Sequence, residues 1–167
     1  MTNTPGYHLA ELNVGRLLAP TDDPRVAEFM GALDRVNGLG KRMPGFVWMM
    51  EGSGEPGTGN TEAKIEGDAQ FVLNLTVWET PETLENFVFG TVHRLFYERR
   101  AEWFEVLGKM HFVMWWVPVG HKPSLDEALV RLADLQANGD TDRAFGWSYL
   151  KAAQGMRIRS CAPMAAE

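Results

Sequence analysis

The sequence predicts one α+β domain in which helices pack on an antiparallel sheet of four strands. Two observations lead to this prediction. Four apolar segments with strand character alternate with stretches whose apolar residues recur at helical spacing. Each helical stretch also begins with a capping residue. A chain of 167 residues with a hydrophobic fraction of 45% is typical of a single domain with a sizeable core.

The first half of the chain is predicted to contain two strands and one helix. Residues 7–14 form the first strand, with Glu11 and Asn13 on one of its faces. An aspartate followed by a proline at 23–24 begins a helix that we expect over about 24–41. The second strand is 46–50. Residues 52–67 are polar and glycine-rich and are expected to be a mobile hairpin loop. Their G-x-G-x-x-G match is not expected to bind a phosphate, because Pro56 and the lack of a following helix remove the helix terminus that a phosphate needs.

The second half begins with the third strand, 71–78. Thr80-Pro81 repeats the cap and proline signal and opens a helix over about 81–98. The fourth strand is 111–117. A capping box at 124–127 opens a further helix, which a glycine closes at position 139.

The C-terminal part is the least regular. Residues 144–150 are interpreted as a short final strand or an extended arm. Residues 156–167 show no periodicity and are expected to be a disordered tail, so the domain is assigned to 1–155.

The order of the elements is βαββαβ, followed by a C-terminal helix and a short strand. This order is that of the ferredoxin-like fold, with helices on one face of an antiparallel sheet. Strands three and four are apolar on both faces, so the face without helices needs another cover. A second copy of the sheet would supply one. We therefore expect a homodimer with the two sheets face to face, as in a dimeric α+β barrel.

Charge and composition exclude several partners. The net charge is −6 with dispersed basic residues, which disfavours nucleic acid. No apolar stretch approaches the roughly 20 residues that cross a bilayer, so no membrane partner is expected. A single cysteine, Cys161, and an N-terminus without a signal-peptide pattern lead us to expect a cytoplasmic protein.

Several segments resemble the DUF3291 family. The residues that carry this resemblance are 12–16, 44–48, 74–79, His93, 103–104, 115–121 and Pro123. The resemblance extends over about 7–150. The family is similar in fold to the antibiotic-biosynthesis monooxygenases, which form dimeric α+β barrels, and has no generally established activity. It therefore implies an architecture rather than a reaction.

A second resemblance concerns the segment from Leu75 to His93. It is similar to the strand-to-helix segment of heme-degrading monooxygenases, whose catalytic set is an asparagine, a tryptophan and a proximal histidine. Asn13 and His93 match two of these positions, whereas Phe87 stands where those enzymes have tryptophan. The resemblance implies heme as a possible cofactor, with His93 as its axial ligand. Arg16 or Arg100 would then lie near the propionates.

His93 is the centre of the predicted site. On an uninterrupted helix, the stripe that faces the sheet consists of Leu84, Phe87, Val88, Thr91 and Leu95. His93 projects nearly opposite this stripe, among Phe89, Phe96, Tyr97 and Arg100. This position predicts an outward contact with a ligand pocket, a cofactor or a partner helix. A kink at Gly90 would instead move His93 to the flank of the stripe. Roles as an ordinary half-buried histidine, an iron ligand or a general acid–base stay open.

Polar residues on otherwise apolar strand faces supply the remaining candidates. Glu11, Asn13, Asn74 and Thr76 need hydrogen-bond partners if they are buried. Together with Trp78 and a tryptophan of the fourth strand, they could line a pocket. A polar network across the dimer interface is the alternative.

These observations lead to three hypotheses. The first is an oxygenase- or cyclase-like enzyme for an aromatic or polyketide-like molecule, without a dedicated metal site. Its catalytic residues would be His93, Asn13 and Trp78, and its substrate-binding residues Tyr97, Phe89, Trp115, Asn74, Arg16 and Arg100. The second is a heme-binding protein in which His93 is the metal ligand. The third is a non-catalytic dimeric module that binds a small molecule.

Overall fold

A computed structural model describes residues 5–55, 57–109 and 111–154. Its sheet has four antiparallel strands in the order β2-β3-β1-β4. The strands are β1 (Tyr7–Arg16), β2 (Phe46–Met49), β3 (Phe71–Trp78) and β4 (Phe112–Pro118). This order and the helices between the strands confirm the ferredoxin-like α+β fold. The sheet is open, and β1 lies in its interior between β3 and β4.

Within the described residues, six α-helices accompany the sheet. They are α1 (Ala27–Gly40), α2 (Thr58–Thr61), α3 (Pro81–Gly90), α4 (His93–Glu98), α5 (Leu125–Asn138) and α6 (Trp147–Gln154). The predicted caps form, because the side chain of Thr80 accepts from the amide of Thr83 and that of Ser124 from the amide of Glu127. At Asp23 the cap precedes one turn of 3-10 helix, and α1 follows it.

Glu11 and Asn13 lie on the face of the sheet that packs against α1 and α3, which we call the α1–α3 face. Its buried residues include Leu9, Trp78 and Met114, which pack with Leu84 and Phe87 of α3. Farther along the same face, Val72 packs with Leu17 and Trp103 in a separate cluster. The α1–α3 face therefore has apolar packing at both ends, with polar strand residues between them.

The opposite face of the sheet, the α5 face, is covered by the same chain. Ala128, Leu132 and Leu135 of α5 pack against the buried strand residues, and Ala63 and Ile65 of the connection between β2 and β3 join them. The expectation that helices leave this face bare is therefore wrong, and so is the argument that a second sheet must cover it. The homodimer stays a prediction, which the mass in solution would test.

The helix predicted over 81–98 is broken. Thr91 has an extended backbone, with φ −127° and ψ −175°, after the exposed Gly90. The Thr91 hydroxyl donates to the carbonyl of Phe87 at 2.7 Å and accepts from the amide of His93 at 3.2 Å. A threonine side chain thus replaces helical hydrogen bonds at this point and separates α3 from α4.

Three further expectations differ in detail from the structure. The segment expected to be a loop contains a short helix, α2, directly after its G-x-G-x-x-G match. The short final strand is reduced to one bridge, in which Phe145 and Met114 exchange backbone hydrogen bonds of 2.7 and 2.9 Å. The segment that follows is α6 rather than an extended arm. The tail predicted at 156–167 lies outside the described residues. Within the described part of the chain, no helix combines the length and apolar character needed to span a bilayer.

Candidate functional site

A row of three half-buried side chains crosses the α1–α3 face. Asn13 of β1 is in register with Asn74 of β3 on one side and with Phe112 of β4 on the other. All three keep partial exposure, although Asn13 lies on an interior strand. The helical layer therefore covers this row incompletely. We call this partly covered row, with Asn74, Asn13 and Phe112 as its floor, the Asn13–Asn74 cleft.

Aromatic side chains continue from one side of the floor. The Phe112 ring stacks on Trp147 of α6, with centroids 6.0 Å apart and an angle of 11°. Trp147 contacts Phe89, and Phe89 contacts Tyr97 at 5.7 Å. The guanidinium of Arg100 lies 4.5 Å from the centroid of the Tyr97 ring. Three predicted substrate-binding residues, Phe89, Tyr97 and Arg100, thus belong to one contact chain with the cleft.

The floor of the cleft contains an acceptor without a partner. The side-chain oxygen of Asn74, Oδ1, is buried and accepts no hydrogen bond from the described residues. An unsatisfied buried polar atom costs about 1–3 kcal/mol. A hydrogen-bond donor on a molecule bound next to it would satisfy this oxygen.

A buried acid lies beside the floor. Glu11 is 6% exposed and lies opposite Thr76 in the sheet register. The Trp78 indole N–H donates to Thr76 Oγ1 at 2.8 Å, and the Thr76 hydroxyl donates to Glu11 Oε1 at 2.7 Å. Burial raises the pKa of Glu11 to about 8, against a lowering effect of the Thr76 hydrogen bond. Glu11 is therefore a carboxyl group that can exchange a proton near neutral pH.

Trp78 acts through its neighbours rather than at the cleft itself. Its side chain is 1% exposed, and its ring lies between Phe46 at 5.5 Å and Phe87 at 5.3 Å. Its N–H is occupied by Thr76. This burial places Trp78 where it positions Thr76, and through it Glu11.

His93 faces the core and not the outside. Its ring lies 4.9 Å from Phe87, and Nδ1 is 3.3 Å from the carbonyl oxygen of Val88. Burial lowers the pKa of His93, against a raising effect of this carbonyl, and so favours the neutral imidazole. The outward orientation among Phe89, Phe96 and Tyr97 is therefore wrong. The break at Thr91 restarts the helix and changes its phase, as the alternative of a kink near Gly90 anticipates.

Two predicted residues lie on the other face of the sheet. Trp115 belongs to the α5 face, where its N–H donates to Glu127 Oε1 at 3.1 Å. Arg16, at the end of β1, bonds Asp68 at 2.8 Å and also pairs with Glu105. Neither residue lines the Asn13–Asn74 cleft. Trp116 is the tryptophan of β4 on the α1–α3 face, because side chains alternate along a strand.

Two residues of the site, Phe112 and Trp147, were not among the sequence candidates. Glu11 was named as a residue that could line a pocket, but without a catalytic role. A charged residue on an apolar strand face was the available signal for Glu11. No such signal marked Trp147, because its segment was interpreted as a strand. Across the described ranges, no group of three or more His, Cys, Asp or Glu side chains is arranged to bind a metal ion.

The fold and the cleft define a ferredoxin-like α+β protein with a partly exposed row of asparagine and aromatic side chains on one face of its sheet. The model of one family, described as "Domain of unknown function (DUF3291)", matches residues 8–161, so the chain belongs to this family. The comparison with curated proteins and the comparison with solved structures gave no match.

Proposed function

We propose that this protein is an enzyme that binds a small aromatic or polyketide-like molecule in the Asn13–Asn74 cleft, with oxygenase- or cyclase-like chemistry. The observation that supports it most is the partly exposed row of Asn74, Asn13 and Phe112, with an unpartnered Asn74 oxygen in its floor. Small-molecule sites typically combine apolar walls with a few converging polar groups. The cleft has both.

The walls favour a planar molecule. Phe112, Trp147 and Phe89 contact one another as rings, and such surfaces favour stacked or edge-on aromatic ligands. The two asparagines offer amide donors and carbonyl acceptors, which suit a ligand with a carbonyl group and a hydroxyl group. A phosphate or a large anion has less to bind, because the cation at the edge of the site, Arg100, already donates to the carbonyl of Tyr97 at 2.8 Å.

Ligand binding tests this proposal. Bicyclic hydroxyaromatics, such as 1-naphthol and 6-hydroxy-2-tetralone, should raise the melting temperature and quench tryptophan fluorescence. Asn74→Ala should weaken binding by about 5–10-fold, since it removes one hydrogen bond to the ligand. Trp115→Phe is the matched control on the opposite face and should leave the Kd unchanged. If no bicyclic ring binds, or if Asn74→Ala binds as tightly as wild type, the cleft is not the site. Binding without turnover of any such molecule would favour a non-catalytic module.

Heme binding through His93 is a second candidate function. It is favoured by the carbonyl of Val88 beside Nδ1, which would hold the proton on Nδ1 and leave Nε2 as a neutral ligand. Hemin should then give a sharp Soret band that His93→Ala abolishes and that the control His121→Ala, at an exposed histidine, preserves. Equal bands for wild type and His93→Ala would refute ligation through His93.

A further inference from the structure

The position of Glu11 is unusual for a carboxyl group. It lies on β1, an interior strand, and only 6% of its surface is exposed. Burial of an unpaired charge is costly, so a buried acid is normally paired with a cation or kept neutral. At Glu11, the hydrogen bond comes from the neutral hydroxyl of Thr76. Packing alone would be better served by an apolar residue here, such as the neighbouring Leu9 and Met114 of this face.

The carboxyl group is held in one orientation. Thr76 Oγ1 accepts from Trp78 and donates to Glu11 Oε1, so its single proton is committed to the carboxyl group. Trp78 is itself fixed between two aromatic rings. The chain Trp78–Thr76–Glu11 thus fixes Oε1 and leaves Oε2 for another partner.

The acid lies within reach of a molecule in the cleft. Glu11 and Asn13 are two residues apart on β1 and point to the same face, which separates them by about 7 Å. Thr76 and Asn74 have the same relation on β3, and the two pairs are in register. A bicyclic molecule that lies on the two asparagines therefore extends to the carboxyl group.

From this geometry we propose that Glu11 is the catalytic base of the cleft and that the substrate is a planar ketone with an acidic C–H bond beside its carbonyl group. Asn13 donates from its amide to the carbonyl oxygen, and Asn74 Oδ1 accepts from a ring hydroxyl. The Glu11 carboxylate takes the proton from carbon, and the electron pair of the C–H bond forms the enolate. The protonated Glu11 then exchanges its proton with solvent, and transfer of a solvent-derived proton from Glu11 to the carbon regenerates the ketone. This assignment rests on the function proposed above.

The surroundings of Glu11 suit this role. Its neighbours on the strands that face the same way are uncharged, namely Leu9, Asn13, Thr76 and Met114. In the elements that cover this face, the titratable side chains that are not exposed are Glu82, Glu85, His93, Tyr97, Arg100 and Tyr149. Burial lowers the pKa of His93, which keeps it uncharged near neutral pH. A base works best when its pKa is near the working pH, and burial raises the pKa of Glu11 to about 8.

Deuterium exchange tests the assignment. The full chain is mixed with 6-hydroxy-2-tetralone in D2O buffer, and NMR follows the loss of the methylene signal beside the carbonyl group, with buffer alone as reference. Wild type should accelerate this exchange, and Glu11→Gln should lower the acceleration by about 100-fold or more, as expected for loss of a general base. Glu11→Gln keeps the size of the side chain and the acceptor for Thr76, so the Kd of the probe should change by less than about threefold.

Each outcome separates the two proposals. If the probe binds wild type and exchanges no faster than in buffer, the role of Glu11 is refuted while the cleft stands. If Glu11→Gln accelerates the exchange as strongly as wild type does, the role of Glu11 is refuted as well. If the probe does not bind at all, both the binding site in the cleft and the role of Glu11 are refuted. Should Glu11→Gln not fold, the wild-type pH profile decides, because the exchange must rise with the carboxylate as the pH approaches about 8. A flat profile would contradict the assignment.

Discussion

Replacing Glu11 with glutamine should change how the stability of the protein depends on pH. In the folded chain, burial raises the pKa of Glu11 from 4.5 to about 8. The folded state therefore keeps a proton that the unfolded state has released, and the free energy of unfolding falls as the pH rises between about 4.5 and 8. Glutamine cannot ionise, so in Glu11→Gln this fall in the free energy of unfolding with rising pH should disappear.

The size of the effect follows from the difference in proton affinity. Each tenfold difference is worth about 1.36 kcal/mol, so the rise from 4.5 to about 8 corresponds to about 4–5 kcal/mol above pH 8. Between pH 5 and pH 8, the stability of Glu11→Gln relative to wild type should increase by about 3 kcal/mol. In a domain of 167 residues, this is about 6–12 °C in Tm.

Urea unfolding at several pH values between 5 and 8 measures this difference. The matched control is Glu79→Gln, which removes an exposed carboxyl group at the end of β3 and should preserve the wild-type slope. Equal slopes for wild type and Glu11→Gln would show that Glu11 is ionised in the folded protein. The reasoning on its burial would then be wrong.

Three further predictions concern individual contacts. Gly15→Ala places its Cβ 2.6 Å from the ring of Phe104 and should destabilise the fold by about 1–3 kcal/mol, whereas Gly108→Ala, with no atom within 4 Å, should not. Asn60→Ala removes a buried hydrogen bond of 2.9 Å to the carbonyl of Leu73 and should cost about 1–3 kcal/mol in urea unfolding. The ring signals of His93 should titrate below pH 6.5 in NMR; a midpoint above that value would contradict its burial.

Local signals in the sequence predicted most of the elements. The caps at Asp23 and Thr80 form as expected, and the third strand has the predicted bounds, Phe71–Trp78. Of the capping box predicted at 124–127 only the serine half forms, because the Glu127 carboxylate bonds Trp115 and His121 instead. The largest error in the predicted helices is the break at Thr91, which divides the helix expected over 81–98. It arises because one hydroxyl bonds a carbonyl before it and an amide after it, a competition that apolar periodicity does not report.

The site was predicted only in part. Asn13 and Asn74 were both named from the sequence, and the structure sets them opposite each other. The choice between the two tryptophans of β4 was wrong, since Trp115 lies on the α5 face. Alternation along a strand shows that Trp115 and Trp116 face opposite sides. It does not tell which of these sides also carries Asn13, because that depends on the register between strands.

The sequence by itself determined the ferredoxin-like order of elements, the helix caps and the polar residues on the strands, because these depend on periodicity and on groups a few residues apart. Only the tertiary structure decided that α5 covers the second face, that His93 turns toward Phe87, and that Glu11 bonds Thr76. These features join residues far apart in the chain. Their energies come from burial and from hydrogen bonds that exist once the strands and helices have packed.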